Sequence, residues 1–108
     1  MFGLFSQTSS TQISAQEVAQ QLKASPGPFV LDVREPGEYQ QGRIPGSVLI
    51  PLGTLSGRLN ELPTGQPIVV VCRSGNRSGV GTRILRQAGL DALNMAGGMN
   101  AWRGPVER

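Results

Sequence analysis

The chain contains no histidine, a single cysteine, a single lysine and only one tryptophan, one tyrosine and three phenylalanines. Each shortage removes a class of chemistry. Without histidine there is neither a Cys-His hydrolase pair nor a histidine-ligated metal site, and one cysteine can neither form an internal disulfide nor hold a metal by itself. No cofactor or metal is therefore expected, and a reducing cytoplasm is the expected compartment. The few aromatics do not interleave with basic residues, so no stacking platform for single-stranded nucleic acid is expected. No stretch reaches the roughly 20 apolar residues that span a bilayer, and the Met-Phe-Gly-Leu-Phe start has no basic lead, so neither a membrane span nor a secretory leader is expected.

What the chain does have is arginine. Nine of its ten basic residues are arginine, the formal charge is +3 and the pI is about 10.0. Such a surface suits an anionic partner, and with aromatics scarce a small anion fits better than nucleic acid. A length of 108 residues allows one domain with one modest core, and 15 glycines with 8 prolines suit a globular chain with many tight turns. Residues 1–12 read as a short polar arm, either free or laid by its apolar start on the domain edge. Residues 13–108 read as a single domain.

The order of elements follows from pattern. Ser14 stands three residues before Glu17, a capping-box spacing, ahead of Val18, Ala19 and Leu22 at helical intervals, which predicts a helix from Ala15 to Ala24. Ser25-Pro26-Gly27-Pro28 stops it. Phe29–Val33 is a nearly unbroken apolar run, the mark of a strand covered on both faces. Glu35–Gln41 reads as a turn or short helix, and Ser47–Ile50 as a second buried strand entered through Ile44-Pro45-Gly46. Leu52, Leu55, Leu59 and Leu62 predict an amphipathic helix weakened by Gly53 and Gly57. Pro67–Cys72 is the strongest strand signal, Ser78–Gln87 a helix, Leu90–Met95 a last strand, and Gly97-Gly98 opens a final turn of helix carrying Trp102. Alternating strands and helices predict an α/β fold, a central parallel sheet of about five strands with helices on both faces. Ligands in such sheets bind at the carboxyl ends of the strands.

Cys72-Arg73-Ser74-Gly75-Asn76-Arg77-Ser78 joins the best strand to a helix. Backbone N–H groups at a helix start, a glycine-containing loop and two arginines all favour negative charge, so this thiol is expected to ionise below its free value without a general base. The plain alternative is a small buried hydrophobe at a strand end.

Four segments in register carry a resemblance. Asp32-Val33-Arg34-Glu35 with Glu38-Tyr39, Gly42-Arg43-Ile44-Pro45-Gly46-Ser47 with Ile50-Pro51-Leu52, Cys72–Ser78, and Gly97-Gly98-Met99-Asn100-Ala101-Trp102 resemble the signatures of rhodanese domains, over about residues 13 to 104. The resemblance implies a thiosulfate sulfurtransferase that moves a sulfane sulfur from a small anionic donor to cyanide or a thiol, possessed by a small molecule or a partner protein. In that reading Cys72 carries the persulfide, the amides from Arg73 to Ser78 (Arg73, Ser74, Gly75, Asn76, Arg77, Ser78) cradle it, and Arg73 and Arg77 attract the donor. A sulfur-delivery module acting on a protein acceptor is the alternative. Cysteine-dependent phosphatases are a weaker one, because their loop is one residue longer than the spacing from Cys72 to Arg77.

The family often has histidine where this chain has Arg43, which adds charge without touching the thiolate argument. Asp32, with Arg34 beside it, ends a buried strand at the same sheet edge. The two either back a loop group or arginine, or Asp32 caps the turn that starts at Arg34. Trp102, Tyr39 and Phe29 read as packing, and Arg83 and Arg86 as a solvated helix face.

Overall fold

The computed structural model describes residues 11–108. Its elements in chain order are β1 (Gln12–Ser14), α1 (Ala15–Gln21), β2 (Phe29–Asp32), α2 (Pro36–Gln41), β3 (Val48–Leu49) and α3 (Leu52–Leu55). A 3-10 turn (Leu59–Glu61), β4 (Ile68–Val71), α4 (Asn76–Gln87), β5 (Ala92–Ala96) and α5 (Gly98–Ala101) follow. All five strands form one parallel sheet in the order β1-β5-β4-β2-β3.

The apolar runs are continuous because both faces of the sheet are covered. Along β4, Ile68 and Val70 point into one core with Leu31, Val33, Leu55 and Leu85, while Val69 and Val71 point into the other with Val18, Val30, Met95 and Trp102. This period of two puts α3 and α4 over one face and α1 with Trp102 over the other. Cys72, directly after β4, falls on the α4 side. Among the described residues no helix is long and apolar enough to cross a membrane.

Four expectations are refined. The strand expected as buried over Ser47–Ile50 is only Val48–Leu49, at the outer edge of the sheet beside β2, with Val48 exposed and Leu49 half-buried, because an edge strand is covered on one side only. The edge strand β1 crosses the boundary between the segment read as an arm, to which only its Gln12 belongs, and the domain; residues 1–10 lie outside the described ones. It is only three residues long, and Ile13 is buried between exposed Gln12 and Ser14, a pattern too short to signal a strand. The helix expected over Leu52–Leu62 is broken into α3 and the 3-10 turn around Gly57, yet all four leucines still pack on the α4-side core. Helix α1 ends at Gln21 rather than Ala24, although Ser14 caps it as expected, accepting from the Glu17 amide at 3.0 Å.

Candidate active site

Strand β4 ends at Val71, and the chain turns through Cys72, Arg73, Ser74 and Gly75 into α4, which begins at Asn76 instead of Ser78. Gly75 makes the turn possible with φ +103°, a left-handed conformation that costs a side-chain-bearing residue. Its amide donates to Cys72 Sγ at 3.0 Å, and the Ser78 hydroxyl lies 3.2 Å from the same sulfur. Cys72 is only 1% exposed, so the sulfur forms the floor of the loop.

The loop is held from behind by α5. Met99 donates its amide to the Cys72 carbonyl at 2.8 Å and Asn100 to that of Arg73 at 2.9 Å. So close an approach requires the Gly97-Gly98 pair, both at positive φ. A Cβ on Gly98 would lie 2.6 Å from the Arg73 carbonyl carbon, against backbone that cannot yield. Gly98→Ala is expected to cost about 2 to 4 kcal/mol from strain and overlap together, measured as a lowered urea midpoint. An unchanged midpoint would mean that the approach is not needed.

Burial pushes the Cys72 thiol up, but the Ser78 hydroxyl and the amides of Ser78, Gly75 and Ser74 outweigh it, and the thiol titrates below its ordinary value. The direction agrees with expectation; the cause differs. Arg73 and Arg77 are both engaged by Glu38, although Arg77 still feels the Cys72 charge. Arg77 makes a two-pronged pair with it, Nη1 to Oε1 at 2.7 Å and Nη2 to Oε2 at 2.9 Å, and Arg73 Nη2 reaches Oε2 at 3.0 Å. The Arg77 bonds, opposed by burial and helped by the Glu35 amide and Arg73, hold the Glu38 carboxyl well below the usual carboxylate range. Glu38 in turn raises Arg77.

Two residues that sequence reasoning did not single out complete the site. Glu38 belongs to α2 and was visible only as part of a motif. Asn94, in the middle of β5, is 5% exposed and accepts from the Ser78 hydroxyl at 2.5 Å, while its amide donates to the Gly75 carbonyl at 3.1 Å. A polar residue at a core-facing position between Leu93 and Met95 was the available signal.

The remaining candidates divide. Cys72, Ser74, Gly75 and Ser78 converge on the sulfur, whereas Asn76 is exposed at the helix start. Asp32 accepts from the Arg34 amide at 3.0 Å and pairs with the Arg34 guanidinium at 2.8 Å, capping the turn that starts at Arg34, and it does not touch the loop. Arg34 also donates to the Gly42 carbonyl at 2.7 Å and, with Glu38, Arg73 and Met99, edges a cavity of about 190 Å³ beside the loop. A larger groove of about 860 Å³ runs between α1 and Trp102 and includes no loop residue, so it is not this site. Arg43 stacks 4.9 Å from the Tyr39 ring centroid and pairs with Glu107 at 3.5 Å. Trp102 donates to the Pro105 carbonyl and Tyr39 to that of Ser47, as packing residues do. Arg83 is exposed, and Arg86, though exposed, donates to the Ala92 carbonyl at 2.9 Å.

A buried low-lying thiol ringed by amides at the carboxyl edge of a parallel sheet suits nucleophilic attack on a sulfur or other soft centre. Comparison with known proteins bears on the same point. Residues 14–105 match the rhodanese-like domain. The chain is 34% identical over 92 residues to a sulfurtransferase of Allochromatium vinosum, covering 84% of this chain and 86% of that protein. It is 37% identical over 97 residues to the putative sulfur carrier protein YrkF of Bacillus subtilis, covering 89% of this chain but only about half, 52%, of that protein. The crystal structure of a rhodanese-like domain protein from Staphylococcus aureus superposes with a TM-score of 0.85 at 34% identity, covering 90% of this chain and 96% of the other. With its sheet order, its cysteine loop and a match spanning most of its length, the chain belongs to the rhodanese-like domain family of sulfurtransferases and sulfur carriers.

Proposed function

We propose that this domain is a thiosulfate sulfurtransferase working through a persulfide on Cys72. The observation that carries the reading is the sulfur itself: a thiol held below its ordinary value at the floor of a loop whose amides turn inward. The Cys72 thiolate attacks the outer sulfur of thiosulfate. A new S–S bond forms at Sγ, the S–S bond of the donor breaks, and sulfite leaves with the bonding electron pair. The terminal sulfur, now anionic, takes the amides of Ser74, Gly75 and Ser78, with Arg73, Asn76 and Arg77 at the rim. Cyanide or a thiolate then attacks that outer sulfur and Cys72 departs as the thiolate. A sulfur 1% exposed admits a slender terminal atom more readily than a bulky phosphate ester. The chemistry requires a reduced thiol, which suits the cytoplasm.

Incubation with thiosulfate followed by intact mass is expected to add one sulfur atom, removable by cyanide. A protein that gains no sulfur from thiosulfate or from any other sulfane donor would sink the reading.

Glu38 sets how strongly the rim attracts the donor, because its carboxylate neutralises charge on Arg73 and Arg77. Glu38→Gln is expected to lower KM for thiosulfate by roughly 3- to 10-fold at low ionic strength, with the gain fading in salt. Initial rates at two salt concentrations decide it; an unchanged or raised KM would mean that the arginines do not meet the donor.

A sulfur-delivery role, with a partner protein as acceptor, is favoured by one further observation. The sequence holds no second cysteine to take the sulfur from Cys72. Efficient turnover with small thiols alone would count against it.

A further inference from the structure

Ser78 is wholly buried and has one hydroxyl proton, yet two acceptors lie within its reach: Cys72 Sγ at 3.2 Å and Asn94 Oδ1 at 2.5 Å. The orientation of the Asn94 amide is set independently. Its Nδ2 faces the Gly75 carbonyl at 3.1 Å and Gln12 Oε1 at 3.4 Å, and a backbone carbonyl can only accept. Turning the amide over would set two oxygens against each other, so Oδ1 must face Ser78.

We propose that Asn94 is a positioning residue that draws the Ser78 proton away from Cys72, so that the thiol and the persulfide are matched by the site while the bare thiolate is not. With the thiol protonated, S–H donates to Ser78 Oγ and Ser78 donates to Asn94, and every group has a partner. When the proton leaves Sγ for solvent, the Ser78 hydroxyl either swings to the thiolate, leaving a buried Oδ1 without a donor, or stays with Asn94 and leaves the thiolate to the amides alone. Either way the anion loses one hydrogen bond that the loop could otherwise give it. Once Sγ carries a second sulfur, it is divalent and a weak acceptor. The negative charge lies on the outer atom, and Ser78 returns to Asn94 at no loss. Asn94 thereby keeps the thiolate more basic and more nucleophilic than the loop alone would make it, and favours the loaded form.

The persulfide step rests on the proposed function, but the protonation step does not, and it is tested without turnover. The charged groups around the loop are Arg73, Arg77 and Glu38, with Glu35 acting on Arg77 and Arg34, paired with Asp32, at the edge of the adjoining cavity. None of them is a hydrogen-bond partner of Ser78 or Asn94. The thiol is titrated by the rate of alkylation with iodoacetamide against pH in the wild type, Asn94→Leu, Ser78→Ala and the double variant. Asn94→Leu is expected to move the midpoint down by roughly 0.5 to 1 pH unit, and Ser78→Ala, which removes a hydroxyl that Asn94 already competes for, to move it up by less than that. In the Ser78→Ala background, Asn94→Leu is expected to change nothing. A rise in the single variant, or the same fall without Ser78, would overturn the proposal, because Asn94 would then act on the loop through Gly75. Should Asn94→Leu fail to fold, the side-chain amide resonance of Asn94 in the wild-type protein serves instead. It is expected to move with the Cys72 midpoint and to lose that step in Ser78→Ala; a flat resonance would likewise overturn the proposal.

Discussion

Cys72→Ser is expected to reduce sulfur transfer by roughly 10⁴-fold or more while leaving the fold intact. The size of the effect follows from what the loop does. Its amides and the Ser78 hydroxyl lower a thiol whose ordinary value lies within a few pH units of neutrality, at about 8.5, so that more of it is thiolate than in a free cysteine. A hydroxyl starts too far from neutrality for the same hydrogen bonds to ionise it, and the chain has no histidine to serve as base. Serine is smaller, accepts the same Gly75 and Ser78 bonds and leaves no buried polar atom unmatched, so the urea midpoint should stay close to that of the wild type. Transfer rates from thiosulfate to cyanide measure the first expectation, and intact mass after thiosulfate measures whether any sulfur is retained. Residual transfer within about 100-fold of the wild type would place the persulfide elsewhere or remove it from the reaction.

How much of this was legible beforehand depends on the range over which each feature is determined. The strands β2 and β4 could be read because both of their faces are covered, so nearly every residue of Phe29–Val33 and Pro67–Cys72 is apolar. The Cys72 loop could be read because a strand end, a glycine and a helix start are adjacent in the chain. Its thiol behaves as expected in direction. What could not be read is that the charge of both arginines is shared with Glu38, a residue 35 positions from Arg73 whose meeting with the loop depends on where α2 lies, while Arg77 keeps a charge interaction with Cys72. Asn94 escaped for the same reason: it sits beside Val70 in the sheet register, and therefore on the Cys72 face, only once β5 has paired with β4. The strand β1 is too short to carry a period of its own and exists because β5 offers it an edge. The four leucines from Leu52 to Leu62 were correctly placed toward the core, but periodicity alone could not show that the chain between them breaks at Gly57.

Asp32→Ala is expected to cost the largest share of stability of any single change at the site, about 3 to 5 kcal/mol, out of the 5 to 15 kcal/mol that a domain typically has. Asp32 is 1% exposed and is bonded by three donors of Arg34, the backbone amide at 3.0 Å, Nε shared between the two carboxylate oxygens at 2.9 and 3.1 Å, and Nη2 at 2.8 Å. Remove the carboxylate and the guanidinium remains buried, held by the Gly42 carbonyl. The cost is therefore that of a stranded charge, not of a lost attraction. This makes a second, sharper expectation: Asp32→Leu with Arg34→Met, which removes both charges and keeps apolar volume, should lose much less than Asp32→Ala alone. The same pair ties the end of β2 to the end of α2 through Gly42, and α2 carries Glu38. Asp32→Ala should thus also loosen the clasp on Arg73 and Arg77, seen as a thiosulfate KM that moves in the direction of Glu38→Gln. Urea unfolding of the three proteins decides the matter. If the single and double variants lose equally, the ion pair is not what holds this edge of the site, and the turn cap at Arg34 carries the stability instead.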